Sequence, residues 1–294
     1  MRQRSASEPW KKRIIRLTGK TAVILVVILC LITFLNWLTE DEGAWKPDYG
    51  KVDLGSVVEK ETLTEEDFNT IFMQTGLGRS AVEKLRSQKS GVDRERIFQE
   101  YQDDFFESGN YECRPIAVIV YEERMRDSEG NLITGFQVAD LRNGDILITK
   151  ATHSLGWRHG HAAIVTNAAK GETLEAILLG NPSILQNIKK WKTYPSFIQL
   201  RLKSKDPEVA ERAAEYAKKE ILGVPYGLLT GMLNKAPDKI KKTQCSHLVW
   251  YPYERLGYDL DSDGSWLVTP KDIAGNELLE VVQVYGVNPE DIWP

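Results

Sequence analysis

Between Lys20 and Glu40 the chain carries no charge, and most of that interval, "TAVILVVILCLITFLNWL" from Thr21 to Leu38, is strongly apolar. As a helix, a run of this length reaches across the ~30 Å hydrocarbon core of a bilayer. Its flanks are asymmetric. Arg2, Arg4, Lys11, Lys12, Arg13, Arg16 and Lys20 precede it against the single acid Glu8, while Glu40, Asp41 and Glu42 follow. That bias predicts a single-pass helix over 21–38 in the cell membrane, with residues 1–20 as a cytoplasmic basic tail and everything after residue 38 outside. Trp10 and Trp37 suit the two interfaces. A cleaved secretory signal has a shorter apolar core and small residues at its cleavage site, and "NWLTEDE" offers none, so a retained anchor is expected.

With 294 residues there is room for one sizeable domain plus attachments. A net charge of −4 gives no reason to expect a nucleic-acid partner. Three cysteines, Cys30, Cys113 and Cys245, cannot form a disulfide framework. Residues 39–61, with Pro47, Gly50 and Gly55, read as a linker. Residues 62–110 read as a small helical subdomain. There "LTEEDFNTIF" has a Thr64 cap with Asp67 three on, "RSAVEKL" repeats the device from Ser80 to Glu83, and "DRERIFQEYQDDFF" puts Ile97, Tyr101 and Phe105 on one face. From residue 111 to 294 the pattern changes to short strands, "RPIAVIVYEE", "GDILIT", "HAAIV", "TLEAILL" and "SFIQLRL". Two helices follow: "DPEVAERAAEYAKKEI", capped by Asp206 with Pro207 in the first turn, and "QCSHLVWYPYERLG". Strands first and helices after favour an α+β fold, a small antiparallel sheet packed on helices.

Two residue patterns carry chemistry. In "GWRHGHAAIV" a histidine enters an apolar strand, with His161, Ala163 and Val165 on one face. If the loop after it is centred on Ala169, Ala163 lies opposite Glu175, and Glu175 is diagonal to His161 on the same face. Cys245 opens the last long helix, where the positive end of the backbone dipole favours a thiolate. A small buried hydrophobe at a helix start accounts for Cys245 equally simply. Together, His161, Glu175 and Cys245 form a candidate base, orienting acid and nucleophile.

"RNGDILIT…GHAAIV…TLEAI" resembles the strand pair of the NlpC-type papain-like hydrolases, and "GVPYG" with "QCSHLVWYPYERLGY" resembles their nucleophile segment. Here the histidine strand precedes the cysteine helix. That order is similar to the circularly permuted branch, the YiiX/YebB-like amidases and, more distantly, the lecithin:retinol acyltransferases. The resemblance covers about residues 140–275. It implies a permuted papain-like domain with Cys245 as nucleophile, His161 as base in preference to His159, and Glu175 as orienter. Tyr226, Gln244 and His159 would contact substrate, and no cofactor is needed. Gln244 stands where the family has Asp, His247 where it has a small residue, and Glu175 where a histidine is commoner. Joined to the anchor, the resemblance implies an extracytoplasmic thiol amidase or peptidase acting on cell-wall peptides. A lipid acyltransferase or acyl-hydrolase on the same triad, and a non-catalytic binding module, are the alternatives.

Two further stretches have simpler explanations. "DLDSDG" from Asp259 to Gly264 begins like a calcium loop, but position twelve is Pro270 rather than Glu, and no metal is expected. Lys235, Lys239, Lys241 and Lys242 precede Cys245 as a basic run, which usually marks a solvated loop. His153 reads as a loop histidine.

Overall fold

A computed structural model describes residues 20–31, 34, 44–107, 109–154, 157–206, 208–232 and 235–293. Residues 20–31 are helical and exposed, as is Phe34. Among the described residues no helix is long and apolar enough to cross a membrane. The basic tail through residue 19, Trp10, Trp37 and the acids at 40–42 lie outside the described residues. The membrane as partner and the single-pass, externally facing topology are therefore withdrawn.

The rest is an α+β structure with two antiparallel sheets. The strands are β1 (Tyr111–Pro115), β2 (Val120–Met125), β3 (Ile146–Thr149), β4 (Thr152–Ser154), β5 (His161–Asn167), β6 (Glu172–Glu175), β7 (Ile184–Asn187), β8 (Phe197–Leu202) and β9 (Leu279–Tyr285). The larger sheet runs β7-β6-β5-β3-β8-β9 and the smaller β1-β2-β4. "RPIAVIVYEE" is a hairpin rather than one strand, with Cys113 opposite Glu123. "TLEAILL" is strand only to Glu175.

Both faces of the larger sheet are buried, which is why its strands are nearly continuous in apolar residues. Ile146, Ile148, Ala162, Ile164 and Leu200 pack against Val209, Ala213, Ala217, Leu248 and Val249 of helices Glu208–Glu220 and Cys245–Glu254. The alternate residues Leu147, Ala163, Val165 and Phe197 pack against Phe136, Trp191 and Tyr285. Asp206 Oδ1 accepts from Glu208 N at 2.9 Å, serving the start of the first of these helices. Pro207, expected in its first turn, lies outside the described residues.

The helices before residue 107 share a core with the sheet edge. Thr64 and Asp67 form the reciprocal capping box that starts helix Glu65–Thr75. The next helix begins two residues earlier than expected, at Arg79, with Gly78 rather than Ser80 as its cap. Gly78 has no room for a side chain, because a Cβ there would run into the Val281 carbonyl. Gly78 N donates to Val282 O at 2.8 Å and Val284 N to Gly76 O at 2.8 Å, so this segment lies along the open edge of β9. Leu54 and Val58, in the stretch read as linker, are buried with Ile71, Val82, Phe98 and Val282.

Candidate thiol and ligand sites

The hairpin β5–β6 sets the first site. Its register pairs Ile164 with Leu174 and Val165 with Thr173, and this register places Glu175 diagonal to His161. The turn is a short 3-10 segment, Ala168–Lys170, closed by Gly171 in the left-handed conformation. His161 is the first residue of β5, and Gly160 before it has φ +70°. A Cβ on Gly160 would collide with the Trp293 ring and lie 2.6 Å from Thr149 O, so glycine is required to bring the chain into this strand.

His161 Nε2 hydrogen-bonds Glu175 Oε2 at 2.9 Å. The charge of Cys245 also acts on this imidazole. The thiol itself donates to Gln244 Oε1, with Sγ 3.5 Å from that oxygen. Cys245 is the first residue of its helix and 8% exposed. Burial by itself would lower the His161 pKa. The hydrogen bonds and charges of Cys245 and Glu175 outweigh it and raise the pKa to about 9. For Cys245 burial pushes the thiol up, but His161 and the backbone N–H groups of Ala162 and Ser246 bring it below its ordinary value. Burial likewise opposes ionisation of Glu175, yet His161 and Lys190 hold its carboxyl far below the usual range. All three shifts favour the charged forms: imidazolium, thiolate and carboxylate.

Two residues of this site escaped sequence analysis. Trp191 lies with its ring 5.6 Å from His161, stacked at 14°, and donates Nε1–H to Glu175 Oε1 at 2.8 Å. Lys190 Nζ donates to Glu175 Oε2 at 2.7 Å. Both come from the short helix Ile188–Trp191, which no periodicity announces.

The remaining expected residues have distinct positions. Tyr226 is half-buried, and the charge of Cys245, after burial, raises its phenol pKa. Gln244 is the helix cap. Its Oε1 accepts from Ser246 N at 3.1 Å and Ser246 Oγ at 2.9 Å, and its Nε2 donates to Val268 O at 3.0 Å. His159 is held between Ser154 Oγ and Gly160 O, at 3.0 and 2.8 Å. His247 bonds Lys235 O at 2.8 Å, away from the thiol.

A second group lies on the smaller sheet. Cys113 Sγ is 3.2 Å from His153 Nε2, and the same nitrogen is 3.8 Å from Glu123 Oε1. Arg158 pairs with both Glu123 oxygens, at 2.9 and 2.8 Å. Burial, then the Arg158 charge, lowers the His153 pKa to about 4, so the ring is neutral at neutral pH. The group was hidden because the hairpin joining Cys113 to Glu123 read as one strand. Asp261, Asp263 and Asp272 also converge. There Lys235 pairs with Asp261, and Asp272 caps a helix by accepting from Thr269 N at 2.7 Å.

No family model and no curated protein matches the chain. Among solved structures it is similar to the metalloprotein YiiX from Escherichia coli O157:H7, with 19% identity over 49% of this chain and 97% of that one, at a TM-score of 0.36. No comparison supports the expected thiol amidase or peptidase acting on cell-wall peptides, and that expectation is corrected to a coarser description: an α+β chain with distant structural similarity to YiiX, bearing a His161–Glu175 pair near Cys245 and one separate Cys-Glu-His group of metal-ligating residue types.

Proposed function

We propose that residues 140–275 are a permuted NlpC-type unit in which Cys245 is a thiolate held ready for covalent bonding to an electrophilic carbon of a bound molecule. The observation that carries this reading is the 2.9 Å hydrogen bond of His161 Nε2 to Glu175, on an imidazole close enough to Cys245 for each to shift the other's pKa. An imidazole beside the sulfur keeps a proton available there while the carboxylate stabilises its charge. When sulfur bonds to carbon, the electron pair displaced from that carbon takes up the proton His161 holds. The helix start adds its dipole to the thiolate, and the first N–H groups of the helix, which have no intrahelical acceptor, face the same end. Trp191 and Lys190 fix Glu175, and Glu175 fixes the ring.

The test needs no substrate. The chain is treated with iodoacetamide across pH, and each cysteine is followed by peptide mass spectrometry, beside a His161→Ala variant. Cys245 is expected to react at pH values well below the ordinary thiol pKa of ~8.5, and to lose that advantage in the variant. A Cys245 that is inert at neutral pH, or indifferent to the loss of His161, refutes the reading.

A further inference from the structure

The two cysteine–histidine–glutamate groups of this chain differ in one respect that decides their chemistry. Near Cys245 the imidazole bonds the carboxylate of Glu175 through Nε2 at 2.9 Å, while the sulfur has a separate partner, Gln244 Oε1, at 3.5 Å. At Cys113 a single ring nitrogen, His153 Nε2, faces both the sulfur and the carboxylate. A ring that offers one nitrogen to both neighbours cannot pass a proton between them. Three lone-pair atoms aimed at one point are instead what a metal ion requires.

The sheet produces this convergence directly. Cys113 and Glu123 are paired residues of β1 and β2, and His153 of β4 pairs with Tyr121, two residues from Glu123 and so on the same face. Tyr121 stacks on the His153 ring at 5.6 Å and 18°, setting its plane. His153 and Glu123 are fully buried, while Cys113 is half-buried on the solvent side.

The spacing also fits. Zinc bonds of ~2.3 Å to sulfur and ~2.0–2.1 Å to nitrogen or oxygen at tetrahedral angles give ligand–ligand edges of ~3.3–3.6 Å. The observed edges are 3.2 Å from sulfur to nitrogen and 3.8 Å from nitrogen to oxygen, with all three atoms within 4.8 Å of one another. We infer that Cys113, Glu123 and His153 bind a divalent transition metal of the zinc type. Binding replaces the thiol proton by the metal and releases that proton. Arg158, on both oxygens of Glu123, orients the carboxylate from behind, as outer-shell partners do. Its positive charge opposes the metal's, so a strong chelator strips the site. The inference does not depend on the chemistry of Cys245.

The full chain is dialysed against a chelator and titrated with Zn²⁺ in competition with a chromophoric indicator, and separately with Co²⁺ under reducing, oxygen-free conditions. One zinc per chain and a cobalt–thiolate charge-transfer band are expected. Cys113→Ser should abolish the band and weaken zinc by more than the roughly 10–100-fold that outer-shell changes cost. Cys245→Ser should leave both unchanged. A band that survives Cys113→Ser, one lost with Cys245→Ser instead, or the absence of stoichiometric zinc overturns the inference. A measurement on the unaltered protein guards against a misfolded variant: Zn²⁺ must protect Cys113, and not Cys245, from iodoacetamide, and failure to do so also overturns it.

Discussion

Glu175→Gln is the sharpest perturbation of the Cys245 site, because the two side chains have nearly one shape. Glu175 is fully buried and accepts four hydrogen bonds. Oε1 takes Thr173 Oγ1–H at 2.9 Å and Trp191 Nε1–H at 2.8 Å, while Oε2 takes His161 at 2.9 Å and Lys190 at 2.7 Å. Glutamine keeps one oxygen and turns the other into an NH₂ donor. Thr173 can rotate its hydroxyl to accept, but the indole N–H and the ammonium only donate. They sit on different oxygens, so either orientation of the amide sets donor against donor. An unsatisfied buried donor costs roughly 1–3 kcal/mol, and the carboxylate's charge on His161 and Lys190 is lost as well. A total of about 3–4 kcal/mol follows. For a domain of this size that lowers the melting midpoint by about 10 °C, at ~2–4 °C per kcal/mol. Thermal unfolding at pH 7, followed by circular dichroism, measures it. A carboxyl whose folded pKa is depressed stabilises above its unfolded value of ~4.3, and that stability is lost as pH falls through the folded pKa. The gap between the two proteins should therefore hold from pH 7 to 5 and narrow below about pH 4. A variant that melts within about 2 °C of the parent at pH 7 refutes the account of Glu175.

Other outcomes follow from the same geometry. The alkylation rate of Cys245 should change near pH 9, where His161 loses its proton; iodoacetamide profiles in His161→Ala should lack that step. Trp191→Phe keeps the stacked ring but removes the donor to Glu175, and should cost about 1–2 kcal/mol by denaturant unfolding. Gly160→Ala forces a Cβ into Trp293 and Thr149 O at positive φ, and should slow Cys245 alkylation at pH 7 while lowering the melting midpoint. Arg201→Ala strands the buried Asp145 carboxylate, which Arg201 grips at 2.7 and 2.8 Å, and should cost about 3–5 kcal/mol in urea unfolding.

What the sequence disclosed follows from the range of the interactions. The β5–β6 register was legible because a short loop and a period of two leave few alternatives, and that register alone puts Glu175 beside His161. Thr64 with Asp67 was legible because a capping box is local. Trp191 and Lys190 were not, since a four-residue helix has no periodicity and its partners lie 15 and 16 residues away. Cys113, Glu123 and His153 were missed because apolar residues fill the hairpin turn between β1 and β2, where turn-formers would have marked it. The expected membrane helix came from an uncharged run and its flanking charges, and among the described residues no helix is long and apolar enough for a crossing.

The position of β9 governs the order of assembly. On the ribosome, β3, β5, β6 and β8 emerge before either the helix bearing Cys245 or the strand Leu279–Tyr285 that completes the sheet. Until then the early helices have no strand edge to bind, since Gly78 and Gly76 bond to Val282 and Val284. Such late, long-range closure makes folding slow and leaves β8 open to pairing with other chains in the meantime. A nascent chain stalled before residue 245 therefore lacks both the Cys245 helix and the strand that closes the sheet.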